Sequence, residues 1–247
     1  MTTSHRPRTA AAVFDVDGTI SATRSTTSLI WLRRRQSSAW QHRRWLASLL
    51  WRGPLAWLAD QIDRDRADRM VYAQFAGLSR RRLEDDAERC CQEVLLPTCF
   101  PDALGEMTAH RDAGRRVVLV SGGLDVVLAP LARALGAELL AQRLVTEGDR
   151  ITGRHLSYAV LGEEPAPMNQ SERKAAALRR HAETTGLDLA ASFGYGDSVN
   201  DVAMLDAVGT AVAVNPDRGL ARVAVEREWD IRRWRLPDEG RLRLPAI

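Results

Sequence analysis

Short apolar runs that end in polar clusters recur along the chain and alternate with segments of helical periodicity. Four runs have the length and composition of buried strands, namely 9–16, 115–123, 189–197 and 210–215. Amphipathic patterns predict helices at 171–185, 199–207 and 217–227. A further alternating pattern predicts a hairpin flap over 141–156. Strands that alternate with helices are typical of a parallel sheet with helices on both faces. The predicted fold class is therefore α/β, with a doubly wound parallel sheet.

Residues 22–98 break this alternation and form a predicted all-helical insertion between the first two strands, called the insertion below. Its predicted helices are 28–52, 54–74 and 79–95. The Gly53-Pro54 pair is a strong helix breaker and separates the first helix from the second. This pattern predicts two domains, a core of residues 1–21 and 99–247 and the insertion of residues 22–98.

Polar residues cluster where three of the predicted strands end, and this predicts where a ligand binds. Ligands of open α/β sheets lie outside the carboxyl ends of the strands. The first cluster, DVDGT, supplies Asp15 and Asp17, two carboxylates that project to the same side of the chain. Two carboxylates this close resist joint ionisation unless a cation lies between them or one carries a proton. The pair suits a nucleophile beside a proton carrier, and an Asp-Gly turn with a capping acid is the alternative.

The other two clusters have the chemistry to bind an anion and a cation. Ser121 is followed by two glycines, Gly122 and Gly123, whose amides can approach an anion closely. An ordinary Ser N-cap would give the same pattern. The third cluster, GYGDSVND, is rich in oxygen and suits a hard cation such as Mg²⁺, and a capped helix start is its alternative. Its polar members are Asp197, Ser198, Asn200 and Asp201.

Composition narrows the cellular setting. The chain has 247 residues, of which 45% are apolar and 27% charged, as in an ordinary globular protein. Three cysteines, Cys90, Cys91 and Cys99, have neither the spacing of a zinc site nor the even count of a disulfide framework. The N-terminal residues lack a signal-peptide pattern, and no apolar stretch reaches the ~18 residues of a membrane span. We therefore expect a cytoplasmic protein with free thiols.

The basic residues are unevenly distributed, and lysine is almost absent. The formal net charge is only +3, yet residues 31–57 hold six arginines, no acidic residue and five of the seven tryptophans. The whole chain contains one lysine, Lys174, within NQSERKAAAL. Since arginine serves at the other Lys/Arg positions, the single lysine raises the question of what this position requires that an arginine cannot supply.

Taken in order, DVDGT at 15–19, Ser121, Lys174 and GDSVND at 196–201 resemble the four motifs of the haloacid dehalogenase superfamily. The likeness extends over residues 10–235 and is nearest to the phosphoserine-phosphatase branch, subfamily IB. The resemblance implies a Rossmann-like core whose helical C1-type cap is the insertion. It further implies a Mg²⁺-dependent phosphomonoesterase that hydrolyses a small-molecule phosphate through an aspartyl-phosphate intermediate.

The resemblance also implies which residues carry the reaction. Asp15 would attack phosphorus, and Asp17 would protonate the leaving oxygen and then accept a proton from water. The Asp15 carboxylate, the Asp17 main-chain carbonyl and Asp197 would hold Mg²⁺. Lys174 would stabilise the charge that moves between Asp15 and the phosphoryl group.

Four further residues complete the implied site. Ser121 and the Gly122 amide would hold phosphoryl oxygens, with assistance from Asn200. Asp201 would orient Lys174 or a metal-bound water. Arg24 occupies the position where phosphoserine phosphatases of this type carry a Glu that grips the substrate ammonium. Because an arginine repels an ammonium and attracts an anion, we expect a substrate other than L-phosphoserine.

The same motifs exclude some members of the superfamily. A dehalogenase would lack an acid at position 17, and a P-type ATPase would have Thr there. A phosphonatase needs a Schiff-base lysine in its cap, and the insertion contains no lysine.

The Trp- and Arg-rich stretch of the insertion, residues 31–57, leaves two interpretations open. It can be a cap-domain core with a solvated arginine face. It can also contact anionic lipid headgroups, which Trp and Arg together suit, and the substrate would then be a lipid phosphate such as a lysophosphatidate or prenyl phosphate. No recognised nucleic-acid motif accompanies the stretch, so nucleic acid is not an expected partner.

Overall fold

The computed structural model describes residues 8–36, 40, 43, 47, 72–156, 158 and 168–237. Within these ranges seven strands form one sheet in the order β4-β3-β2-β1-β5-β6-β7. The strands are β1 Ala11–Phe14, β2 Arg116–Leu124, β3 Glu138–Glu147, β4 Arg150–Leu156, β5 Phe193–Gly196, β6 Thr210–Val214 and β7 Asp230–Arg232. The helices are α1 Ser25–Arg35, α2 Arg80–Cys90, α3 Pro101–Asp112, α4 Asp125–Ala134, α5 Gln170–Thr185, α6 Val202–Leu205 and α7 Arg218–Glu226.

The sheet is parallel except for the β3–β4 pair, and β1 lies at its centre. Phe14, the last residue of β1, is paired with Leu119 of β2 and Tyr195 of β5. Side chains of alternate residues point to opposite faces, so Phe14 packs in one core cluster and Val13 in another on the other face. The predicted α/β class with helices on both faces is therefore confirmed. The carboxyl ends of β1, β2 and β5 lie together at one edge of the sheet.

The four predicted strands correspond to β1, β2, β5 and β6, whereas two features of the sheet were not predicted. β3 begins at Glu138, ahead of the predicted flap, because its first residues pair with β2 in parallel before the strand continues into the hairpin with β4. β7 is a three-residue edge strand of exposed and half-buried residues, and it carries no apolar run.

The predicted helices agree with α5 and α7, but the one at 199–207 was wrong in extent. Residues Val199–Asp201 form a 3-10 turn, and α6 covers only Val202–Leu205. The segment is short because the chain has to turn at Gly209 to enter β6. Gly209 packs so closely that a Cβ there would lie 1.8 Å from the Ala190 carbonyl oxygen.

Only parts of the insertion belong to the described residues. α1 begins at Ser25, ahead of the predicted start at 28, and is described as far as its C-cap Gln36. The predicted helix at 54–74 lies outside the described residues except for 72–74. The predicted helix at 79–95 consists of α2 and a following turn of π-helix, Cys91–Leu95.

The two segments that join the core to the insertion lie side by side. The Ala22 amide donates to the Thr98 carbonyl at 2.9 Å, and Ser21 and Cys99 form an antiparallel bridge. The buried hydroxyls of Ser21, Thr23 and Thr98 bond to one another at 2.7 to 3.0 Å. The predicted boundaries after residues 21 and 98 fall at this crossing, and the division into two domains stays a prediction.

The described part of the insertion packs on the core through apolar side chains. Leu32, Phe75 and Leu83 form one buried cluster with core residues that include Leu124 and Ile151. Main-chain bonds add to this contact, because the Gly77 amide donates to the Ile151 carbonyl at 2.8 Å. Among the described helices, none combines the length and the apolar character that a membrane crossing requires.

Candidate active site

Asp15 and Asp17 follow the central strand directly. The Asp15 amide donates to a β5 carbonyl at 2.9 Å, which continues the β1–β5 pairing by one residue and fixes the Asp15 main chain. The Asp15 side chain is buried, whereas Asp17 is half-buried. After Asp17 the chain turns at Gly18, whose φ of +86° is favourable only for glycine. The turn is closed by the Gly18 amide, which donates to the Ser21 carbonyl at 2.7 Å.

Lys174 connects two of the acids within the protein interior. Its Nζ donates to Asp15 Oδ1 at 2.5 Å and to Asp201 Oδ1 at 2.6 Å, and its side chain is only 4% exposed. Lys174 is presented by α5, whose first turn is fixed by a capping box between Asn169 and Glu172. The ammonium therefore has a defined position between the two carboxylates.

Both carboxylate oxygens of Asp201 accept hydrogen bonds. While Oδ1 binds Lys174, Oδ2 accepts from the amides of Asp197 and Ser198 at 3.2 and 3.1 Å, and from the Ser198 hydroxyl at 3.1 Å. Gly196 allows this contact, because a Cβ there would lie 2.6 Å from Asp201 Cβ. With both oxygens engaged, Asp201 orients Lys174 and the loop that carries Asp197.

Negative charge dominates the cluster. Burial raises the pKa of Asp15 well above its usual range, and Asp201, Asp197 and Asp17 add to this while Lys174 opposes it. Burial and the neighbouring Asp201 also raise the pKa of Asp197 to about 7. Burial alone would lower the pKa of Lys174, but Asp15 and Asp201 raise it well above its usual value, so the ammonium stays charged. One lysine does not balance the four acids, and a bound cation would restore the balance.

The donor set fits a hard divalent cation. Carboxylate oxygens of Asp15, Asp197 and Asp201 all lie within 4.8 Å of one another. An all-oxygen set of this kind is the one that Mg²⁺ prefers. Because both oxygens of Asp201 are already bonded, Asp15 and Asp197 are the carboxylates suited to bind the ion. Asp17 lies two residues after Asp15 at the same strand end, and its main-chain carbonyl stays the predicted third ligand.

Ser121 and Gly122 lie at the end of β2, where the ladder to β3 is interrupted. Val120 pairs with Leu140 but the next pair joins Leu124 to Gln142, so the residues between bulge out of the sheet. The Ser121 side chain is buried, and its Oγ accepts from the Gly123 amide at 3.0 Å. The bulge releases these residues from strand pairing at the edge where Asp15 lies.

Asn200 and Arg24 are the remaining predicted residues. Asn200 is half-buried in the 3-10 turn next to Asp201. Arg24 is exposed at the N-cap of α1, and among the described residues no hydrogen bond or ion pair joins its side chain to the acids. The structure thus brings Asp15, Lys174, Asp197 and Asp201 into contact but does not bring Arg24 to them.

Two residues that pack against the site were not predicted. A Cβ on Gly18 would lie 2.2 Å from Asp197 Oδ2, so this glycine allows the first and fourth motifs to meet. Gln170 lies one helical turn before Lys174, and its Nε2 would be 1.9 Å from a Cβ on Gly122. The i, i+4 spacing of Gln170 and Lys174 was a signal in the sequence that both face the same way.

We predict that Gly18→Ala weakens Mg²⁺ binding about 10–100-fold, a loss typical of disturbed metal-site geometry, because the added methyl displaces Asp197. Gly77→Ala is the matched control. Its φ of +80° is similar, but no atom lies within 4 Å of the new Cβ. Both variants should lose about 1 kcal/mol of unfolding free energy from backbone strain. Calorimetric titration with Mg²⁺ checks the prediction, and equal affinities in the two variants would contradict it.

Comparison with known proteins agrees with this geometry. The sequence profile of the haloacid dehalogenase-like hydrolase family matches residues 12–206. The chain is 33% identical to a probable phosphatase of Mycobacterium tuberculosis over 99% of this chain and 82% of that protein. It is 34% identical to a protein of the same organism named phosphoserine phosphatase, over 92% of this chain and 72% of that protein.

A solved structure has the same fold over nearly all of its length. It is a protein of unknown function from Bordetella pertussis, 27% identical, with a TM-score of 0.74 over 92% of this chain and 98% of that chain. The family predicted from the four motifs is thereby confirmed, and so is the reaction class. The chain belongs to the haloacid dehalogenase-like hydrolase family and is a phosphatase.

Proposed function

We propose that this phosphatase is a Mg²⁺-dependent phosphomonoester hydrolase that acts on a small-molecule phosphate through an aspartyl-phosphate on Asp15. The observation that carries the proposal is the buried contact of Lys174 with both Asp15 and Asp201. An aspartate held against an ammonium, at the strand end where a phosphate would bind, is suited to nucleophilic attack on phosphorus.

Two displacements at phosphorus make up the reaction. In the first, an Asp15 oxygen forms a bond to phosphorus while the bond from phosphorus to the ester oxygen breaks, and Asp17 gives its proton to the departing oxygen. In the second, water attacks phosphorus, Asp17 takes the proton from that water, and the bond between phosphorus and Asp15 breaks. The partial exposure of Asp17 supports this role, because its proton has to reach both the leaving group and water.

A bound Mg²⁺ and Lys174 would balance the negative charge of the nucleophile and the phosphate during these steps. The Asp15 carboxylate, the Asp17 main-chain carbonyl and Asp197 would hold Mg²⁺, which offsets the repulsion between an anionic nucleophile and a phosphate dianion. Lys174 stays protonated and stabilises the charge that passes between Asp15 and the phosphoryl group.

Ser121, the Gly122 amide and Asn200 would bind the phosphoryl oxygens. The Ser121 Oγ already accepts a hydrogen bond from Gly123, so its own proton is available to a phosphoryl oxygen. Asp201 acts on the reaction through its bonds to Lys174 and to the Asp197 loop.

We predict that Asp15→Asn abolishes hydrolysis of p-nitrophenyl phosphate, because a neutral amide cannot form the covalent intermediate. With Mg²⁺, the unmodified chain should release a burst of p-nitrophenol, and Asp15→Asn should release neither burst nor steady-state product. Asp112→Asn, a change of an exposed acid at the end of α3, serves as the control and should keep full activity. Steady turnover by Asp15→Asn would show that another group is the nucleophile.

The substrate we propose has no cationic group near its phosphate. Arg24 stands where related phosphoserine phosphatases carry a glutamate, and its exposed guanidinium would repel an ammonium. A relative named phosphoserine phosphatase is 34% identical to this chain, so the test has to compare L-phosphoserine directly with other phosphate esters.

We predict that kcat/KM for L-phosphoserine is about fivefold or more below that for sugar or polyol phosphates, in line with roughly 1 kcal/mol for like charges separated by water. Arg24→Glu should reduce this difference in kcat/KM between the two kinds of substrate. Arg179→Glu, an equivalent change on the exposed side of α5, should leave it unchanged. A preference of the unmodified chain for L-phosphoserine would overturn the proposal.

The lipid-phosphate alternative has no support from the described part of the stretch at 31–57. Trp45, Trp51 and Trp57 lie outside the described residues. Trp31 packs against the insertion core, with the Arg35 guanidinium 4.8 Å from its ring centre, and Arg35 also binds Asp86. Trp31 is half-buried, Arg35 stays partly exposed, and Trp40, the other described tryptophan of the stretch, is 63% exposed.

A further inference from the structure

The peptide unit that joins Gly122 to Gly123 makes a hydrogen bond with its carbonyl and another with its amide. The Tyr72 hydroxyl donates to the Gly122 carbonyl at 2.8 Å. The Gly123 amide donates to Ser121 Oγ at 3.0 Å. Both groups belong to one peptide unit, which is planar and trans, so its C=O and N–H point in opposite directions. A bond that fixes the carbonyl therefore also fixes the direction of the amide.

This peptide unit has no strand partner to orient it. It lies in the bulge between Val120 and Leu124, where the pairing of β2 with β3 is interrupted. Glycine on both sides leaves its rotation unusually free. Without a bond from outside, the Gly123 amide would have no fixed direction, and neither would the Ser121 hydroxyl that accepts from it.

The outside bond comes from the insertion, through a side chain that is itself immobilised. Tyr72 is 3% exposed and packs in the buried cluster that joins the insertion to the core. Its ring and the His155 ring of β4 form a T-shaped pair, with 5.0 Å between the ring centres. Because a carbonyl can only accept, the Tyr72 hydroxyl is the donor in its bond to Gly122.

We propose that Tyr72 is a positioning residue for the phosphate-binding end of β2. It fixes the Gly122–Gly123 peptide, which directs the Gly123 amide at Ser121 Oγ and leaves the Ser121 proton to be donated to a phosphoryl oxygen. The inference rests on the proposed role of Ser121 in binding phosphate. It deepens that role, because phosphate affinity then depends on the docking of the insertion against the core.

The test is a double-mutant cycle with Tyr72→Phe, Ser121→Ala and the double variant. The readouts are the inhibition constant of inorganic phosphate with Mg²⁺, and kcat and KM for p-nitrophenyl phosphate. Tyr72→Phe keeps the buried ring and loses only the hydroxyl. It should weaken inhibition by phosphate about tenfold, the size expected for one hydrogen bond, and raise KM more than it lowers kcat.

The double variant decides whether Tyr72 acts through Ser121. If it does, adding Tyr72→Phe to Ser121→Ala should change the inhibition constant less than twofold. Full multiplication of the two single effects would overturn the inference. So would a Tyr72→Phe variant whose phosphate affinity equals that of the unmodified chain, even if its thermal midpoint has fallen.

Tyr195→Phe is the matched control for the loss of a buried hydroxyl. That hydroxyl bonds to Glu106 and His110 of α3, within the helix layer on one face of the sheet. The variant should lower the thermal midpoint and leave inhibition by phosphate unchanged. An unmodified chain that neither hydrolyses phosphomonoesters nor binds phosphate would overturn the proposed function and this inference with it. If the unmodified chain is active and Tyr72→Phe has the same inhibition constant for phosphate, only the inference is overturned.

Discussion

The buried salt bridge of Lys174 with Asp15 and Asp201 is the interaction on which the rest of the site depends. Moving an ion out of water costs several kcal/mol, and only good geometry with further hydrogen bonds offsets that cost. Here the three charges come from the residue after β1, the turn after β5, and α5, and Lys174 is 159 residues from Asp15. They meet only if β1 and β5 are neighbours and α5 packs with its capped end at the same edge. The strand order of the sheet is therefore a condition for forming this charged cluster.

The geometry of this bridge also accounts for the single lysine in an arginine-rich chain. Two carboxylate oxygens lie 2.5 and 2.6 Å from one nitrogen, and all three side chains are buried. A compact ammonium fills that space, whereas a planar guanidinium is longer and spreads its donors over several atoms. Asp201 has its second oxygen bonded to two amides and a hydroxyl, so it cannot move aside to admit the larger group.

Much of this arrangement could be predicted from the sequence, because the strands that carry the site are buried. β1, β2, β5 and β6 appear as apolar runs, and the polar clusters after the first three lie at one edge of the sheet. β7 was missed because a short edge strand with charged residues lacks such a run. The helix predicted at 199–207 was too long, since periodicity does not register the turn that Gly209 has to make.

The contacts of the main chain were harder to predict than those of the side chains. The bond from Tyr72 ends on the Gly122 carbonyl, and a carbonyl leaves no signature in the residue pattern. The space that Gly18 leaves for Asp197 likewise depends on two loops that are distant in the sequence. Arg24 is a different case, because the sequence shows its residue type but not where its side chain lies relative to the acids, and its role stays a prediction. The roles of the site residues stay predictions.

The most direct test of the account is the turnover of Lys174→Arg, measured as kcat with Mg²⁺ alongside the thermal midpoint. The account predicts a folded protein with its positive charge retained and kcat lowered on the order of 100-fold, the scale of loss that a misplacement of about 1 Å causes. A kcat near that of the unmodified chain would contradict it, because position 174 would then require only a charge and not the shape of lysine.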